Sequence, residues 1–220
     1  MSGDKLSPLQ WRILRILARV DPPFVLTGGA ALAAVHLKMR PTRDLDLFWH
    51  DRAQLGDLPR IVHDLLRAEH LAVDAIQGAV TFHRLRVSDG TDTCVVDLVA
   101  DQVPTVEAPV AVSLGLGRIL VDGRQEILAN KLCALLGRCE LRDLQDVKAL
   151  VECGADLDRA LRDAPQKDGG FSALTLAWVL QGFPAKTLAG TLGLSEDDAD
   201  ELDRFRRALI ERLLATSAPG

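Results

Sequence analysis

Two aspartates one residue apart, Asp44 and Asp46, lie in the stretch DLDLFW. Leu45, Leu47 and Phe48 around them predict a strand, and strand side chains alternate between faces. Asp44 and Asp46 therefore share one face, about 7 Å apart along the strand. Like charges at that spacing repel, and a divalent cation is what commonly reconciles such a pair. Upstream, the apolar run Phe24–Val25–Leu26 enters Gly28–Gly29 and then an Ala-rich segment that reads as a helix. A glycine turn before a helix brings backbone N–H groups to a phosphate. A third carboxylate, Asp97, is embedded in the apolar run CVVDLV. Burial there is costly without a partner. It is read as a third metal ligand or a general base, with a structural pairing to an arginine as the alternative. Further along, Lys131 and Arg138 stand seven residues apart, two helical turns, and share a face that could clamp phosphate. Asp143 and Asp146 begin the next helix, where Asp143 could orient Lys131 or Arg138. Held phosphate, bound metal and countercharge are the requirements of nucleotidyl transfer.

The elements that must position these groups follow from punctuation and periodicity. Ser7–Pro8 opens a helix with Leu9, Ile13, Ile16, Leu17 and Val20 on one face, and Asp21–Pro22–Pro23 ends it. Arg12, Arg15 and Arg19 form a solvated face. Strands are predicted at 24–27 and 44–49, with a helix from Gly29 to about Lys38 between them. A helix is expected over 53–70. The segment 79–87 alternates imperfectly, with Val80, Phe82, Leu85 and Val87 apolar. Ser88–Asp89–Gly90–Thr91 is a hairpin turn, and 92–99 is the returning strand. Pro104 and Pro109 mark a connection to a short strand at 118–121. Helices follow at 124–137, 141–153, 156–163, 172–181 and 195–214, the last capped by Ser195 with acidic residues in its first turn. Gln166–Gly170 reads as a hinge loop. The fold class is α+β: a small mixed sheet with flanking helices (residues 1–122), then a helical region (123–220) expected to close over the nucleotide.

The chain has 220 residues, 48% hydrophobic and 26% charged, with net charge −5. Any nucleic-acid contact must therefore come from a local basic patch. Lys38, Arg40 and Arg43, in the segment His36–Arg43, are placed for phosphate or an acceptor strand. The four cysteines have no zinc spacing and read as reduced residues of a cytosolic protein. His36, His50, His63, His70 and His83 show no ligand spacing and read as surface or packing residues. The N-terminus has no signal-peptide apolar region, and no run approaches the ~18 apolar residues of a membrane span.

Taken in order, TGGAALA, RPTRDLDLF, CVVDLV, EILANKLCALLGR and RDLQDVKALV resemble the AbiEii/AbiGii-type nucleotidyltransferase toxins, within the polymerase-β-like superfamily. The resemblance spans about residues 20–153. It implies Asp44 and Asp46 as metal ligands, Lys131 and Asp143 as essential partners, and Thr42 as the hydroxyl residue two before the first aspartate. It implies a nucleoside triphosphate substrate with Mg2+ (or Mn2+). In some members the acceptor resembles a tRNA 3′ end, and the protein is the toxin of a toxin–antitoxin pair, so tRNA or protein acceptors and a cognate antitoxin are the implied partners. The tail beyond about 160 is where acceptor choice is expected to lie. Two competing readings remain: a non-catalytic sensor that binds nucleotide and regulates a partner, and a toxin that acts by occupying an RNA or protein.

Overall fold

The computed structural model describes residues 6–36, 42–113 and 117–216. The chain divides into two compact units, Met1–Gly123 and Arg124–Gly220.

The first unit is a seven-stranded mixed sheet with helices, the α+β class expected. Its helices are α1 (Pro8–Leu17), α2 (Gly28–Ala31, continued as a π-helical turn Leu32–His36) and α3 (Leu58–Ala68). Its strands are β1 (Val25–Thr27), β2 (Asp44–His50), β3 (Ala72–Gly78), β4 (Phe82–Ser88), β5 (Thr93–Asp101), β6 (Val110–Ser113) and β7 (Arg118–Val121). Their order across the sheet is β3-β4-β5-β2-β1-β7-β6. The central strand β2 runs parallel to β5 and antiparallel to β1.

Alternation divides β2 into two functions. Leu45, Leu47 and Trp49 are buried, and so are Leu26 on β1 and Cys94, Val96 and Leu98 on β5. The opposite face of β2 carries Asp44, Asp46, Phe48 and His50. Helix α1 is fixed at its start by a capping box: Ser7 Oγ accepts from the Gln10 N–H, and Gln10 Oε1 accepts from the Ser7 N–H. Gln10 also donates to the Thr42 carbonyl at 3.1 Å, tying the approach to β2 onto α1.

Several element boundaries differ from expectation. Strands β3 and β6 carry no apolar alternation, because β3 is an edge strand with only Val73 buried and β6 is the exposed opposite edge. Residues 79–81 belong to a turn closed by the Ala79 N–H on the Phe82 carbonyl at 2.7 Å, so Val80 is exposed rather than inward. Helix α3 starts at Leu58, not 53, because Pro59 is suited to a first turn where its missing N–H costs nothing. The Ser88–Thr91 turn forms as expected, with Asp89 Oδ1 accepting from the Thr91 and Asp92 N–H groups.

The second unit is helical: α4 (Arg124–Gly137), α5 (Leu141–Glu152), α6 (Leu157–Lys167), α7 (Ala173–Gln181), α8 (Ala185–Thr191) and α9 (Glu196–Thr216). Helix α4 packs on α5 and α6, and α9 packs on α7 and α8. Ser195 caps α9 by accepting from the Asp198 N–H at 3.2 Å. The loop expected at 166–170 is present at 168–170 and corrected at Gln166 and Lys167, which are helical. Helix α6 continues through Pro165 to Lys167, whose ammonium is buried against Glu126 of α4. An ion pair sealed from water anchors that segment instead of freeing it. Among the described residues no helix is long and apolar enough to cross a membrane.

Candidate functional site

Strand register assembles a row of polar groups on one face of the sheet. Thr27 on β1 is opposite Asp46, Asp46 is opposite Asp97 on β5, and Asp97 is opposite Arg84 on β4. Asp44, two residues before Asp46, lies on the same face. The three carboxylates singled out in the sequence thus lie on adjacent parallel strands, Asp97 in register with Asp46, with Asp44 exposed and Asp46 half-buried.

Asp97 is not alone in its apolar strand. Arg84 grips it with a two-pronged contact, Nε to Oδ1 at 2.8 Å and Nη2 to Oδ2 at 2.7 Å. Bidentate charge-assisted bonds of this length are among the strongest in proteins. The Asp97 bond, then the charges of Asp97, Asp44 and Asp46, raise the Arg84 pKa, so its guanidinium feels all three carboxylates. Hairpin register held the signal for this partner: with Ser88 opposite Thr93, four steps back put Arg84 opposite Asp97.

Gly28 opens α2 directly after β1 with φ +61, a left-handed conformation suited to glycine. A Cβ there would fall 2.5 Å from Asp46 Oδ2. Glycine is therefore required both by backbone angle and by the carboxylate packed against it. Gly29 follows in the first turn of α2. The Thr42 hydroxyl reaches the Asp44 carbonyl at 3.4 Å, bracing the entry to β2. Arg43 is exposed beside it, while Lys38 and Arg40 lie outside the described residues.

At the far end of β2 is a network the sequence reading missed. His50 is buried, with Nε2 3.3 Å from Asp122 Oδ1 and Nδ1 3.4 Å from Asp101 Oδ2, the latter an ion-pair distance without hydrogen-bond geometry. Burial pulls its pKa down, but the two carboxylates outweigh that and raise it to about 9. His36 bonds the Asp122 carbonyl at 2.7 Å. Of the surface or packing roles expected for the histidines, both of these take the inward one, with polar partners. The signal available was period two, which puts His50 on the face of Asp44 and Asp46.

In the helical unit, Lys131, Arg138, Asp143 and Asp146 converge, Asp143 bonding both cations and Asp146 joining Lys131. Lys131 Nζ lies 2.9 Å from both Asp143 Oδ1 and Asp146 Oδ2. Arg138 forks onto Asp143, Nε to Oδ2 at 2.8 Å and Nη2 to Oδ1 at 2.9 Å. Asp143 is fully buried and Arg138 about half exposed, 55% of its side chain. Burial opposes the charge on Asp143, yet the Arg138 bond and the Lys131 charge hold its carboxyl below the ordinary range. Burial likewise opposes the Lys131 charge, and Asp146 and Asp143 more than restore it.

The donor chemistry suits a hard divalent cation. Mg2+ prefers oxygen ligands and is usually held by one or two carboxylates plus substrate phosphates, not by a protein cage. Asp44 and Asp46 are two carboxylates on one face of β2. Among the described residues no group of three His, Cys, Asp or Glu side chains is placed to hold a metal ion.

A family model described as "Nucleotidyl transferase AbiEii toxin, Type IV TA system" matches residues 12–217. The chain belongs to the AbiEii nucleotidyltransferase family. It is thus a transferase of nucleotidyl groups, as the motifs implied. Two solved Helicobacter pylori structures are similar to this chain in fold. JHP933 is 21% identical, with 95% of this chain and 92% of that one covered and a TM-score of 0.53. A second, described as a candidate nucleotidyltransferase, is 19% identical over 96% of both chains, also with a TM-score of 0.53. No curated protein matches the sequence.

Proposed function

We propose that this chain transfers a nucleoside monophosphate from a triphosphate to an acceptor hydroxyl with the help of Mg2+ or Mn2+. The observation that carries this reading is the register Asp46–Asp97 with Asp44 on the same face, beside Gly28. Asp44 and Asp46 would hold the cation. When bound, that ion withdraws charge from the phosphates and promotes in-line attack. Asp97, oriented by Arg84, completes the carboxylate set. Gly28 and Gly29 allow close backbone approach of the triphosphate, with Thr42 bracing the strand entry. Lys131 and Arg138 are assigned to phosphate countercharge, and Asp143, which bonds both, fixes their positions. The attacking hydroxyl forms the new P–O bond at the α-phosphorus, and pyrophosphate leaves.

The family description, a toxin of a type IV toxin–antitoxin system, supports a toxic role and a cognate antitoxin; the acceptor proposed with it is a tRNA 3′ end or a protein. The test is incubation with each labelled nucleoside triphosphate, Mg2+ and total tRNA or protein. Label should appear in one acceptor class and vanish in Asp44→Asn and Asp46→Asn with circular dichroism unchanged. Transfer surviving both substitutions removes this mechanism. Calorimetric nucleotide binding without any labelled product would favour the sensor.

A further inference from the structure

We propose that Gln10 is a positioning residue for the carboxylate strand: its side-chain amide holds the Thr42 carbonyl, and so fixes where Asp44, two residues on, enters β2. The role presupposes the transfer reaction proposed above. Gln10 is 2% exposed, and a buried amide needs partners at both ends. Its two ends serve different elements. Oε1 accepts from the Ser7 N–H at 2.8 Å and closes the capping box of α1. Nε2 donates to the Thr42 carbonyl at 3.1 Å, 32 positions along the chain. Either glutamate or glutamine closes such a box. Only glutamine can also donate to a carbonyl, because an ionised carboxylate offers acceptors alone. Thr42, not the cap, therefore sets the residue type at position 10.

Asp44 depends on support from that direction. It is the first residue of β2 and pairs with Val95 of β5 on one side. On the other side β1 reaches only Asp46, Leu47 and Phe48. The backbone leading to Asp44 is held by the Gln10 bond and by the Thr42 hydroxyl, which donates to the Asp44 carbonyl at 3.4 Å. Helix α1 packs on β5 as well, so the tie and the strand ladder reach Asp44 from one framework. Cys94 of β5 also meets the Gln10 side chain, and burial pushes its thiol up to about 12, so it stays protonated at neutral pH.

Gln10→Glu isolates the tie. It keeps the box with Ser7 and loses the donor to Thr42 once the introduced carboxyl ionises. Burial beside a carbonyl lifts that carboxyl above the ordinary ~4.3. Transfer by the full chain, relative to the unmodified chain at the same pH, should fall by about tenfold between pH 5 and pH 8, because the protonated acid donates and the ionised one cannot. Gln10→Met makes neither bond; it should lower transfer by about tenfold at both pH values and speed hydrogen exchange of the first β2 amides, with circular dichroism unchanged. Ser7→Ala removes the hydroxyl half of the box and leaves the tie, so it should lower the melting temperature while keeping transfer within about twofold. A Gln10→Glu chain with the pH profile of the unmodified chain overturns the proposal, and so does Ser7→Ala as damaging to transfer as Gln10→Met. Where Gln10→Glu fails to fold, the comparison of Gln10→Met with Ser7→Ala decides. If the unmodified chain transfers no label, the proposed function falls, and β2 exchange unchanged in Gln10→Met would then remove the tie separately.

Discussion

The Asp46 carboxylate fills the space that a side chain at Gly28 would need: a Cβ would lie 2.5 Å from Oδ2. The glycine turn and the carboxylate strand are in direct contact, through antiparallel pairing of β1 and β2 in which Thr27 opposes Asp46.

Gly28→Ala should therefore damage the site more than the fold. A non-glycine residue at φ +61 costs about 1–2 kcal/mol, and the carboxylate must move as well. The expected outcome is a modest fall in melting temperature with transfer activity down by about a hundredfold, since misplacement of about 1 Å is enough for that. Thermal unfolding and initial rates measured on the same preparation check both halves.

His50 predicts an alkaline loss of stability. Its pKa rises from 6.5 to about 9 on folding, so the protonated form stabilises the native state. That contribution is complete below about pH 6.5 and disappears as pH climbs through about 9, with an upper bound of about 3 kcal/mol. Urea unfolding between pH 6 and 10 should reveal the slope, and His50→Gln should flatten it. An unchanged slope in that variant would assign it to another group.

Asp143 predicts the opposite limb. Its folded pKa lies below the ordinary 3.8, so its stabilisation is present above that value and lost as pH falls through the folded pKa. Asp143→Asn should cost about 3 kcal/mol at pH 7, because it leaves Lys131 and Arg138 short of a carboxylate. The deficit relative to the unmodified chain should shrink toward pH 3. Denaturant titrations at pH 7, 5 and 3 measure it.

Glu126 and Lys167 are both almost fully buried and paired, and Asn130 donates to Glu126 Oε1 at 3.3 Å. Glu126→Gln or Lys167→Met alone should destabilise the chain by about 3–5 kcal/mol, whereas Glu126→Leu with Lys167→Met should recover most of it. The double-mutant cycle in urea separates the pair from its surroundings.

Groups that obey a period were legible before the structure was known. Asp44 and Asp46 sit among alternating leucines, and Lys131 on α4 stands seven residues before Arg138, which follows the helix end. Groups whose partner lies on another strand or another helix were not. The Arg84 grip on Asp97 needs hairpin register, the His50 network needs Asp101 and Asp122 brought from β5 and the end of β7, and the Lys167 anchor needs α6 laid on α4. Edge strand β3 escaped for a different reason: Val73 is its single buried side chain, so burial left almost no pattern to read.

Strand β2 also constrains which changes the chain can tolerate over generations. Its buried leucines and its carboxylates are odd and even positions of one seven-residue segment. Loss of a single residue inside it would exchange the two sets, sending Leu45 and Leu47 toward solvent and the aspartates into the core. Loss of two would preserve the alternation. Purifying pressure on the packing of the sheet therefore protects the carboxylate face as well, so a lineage that stopped needing the chemistry would still shed Asp44 and Asp46 by substitution long before it shed the frame that displays them.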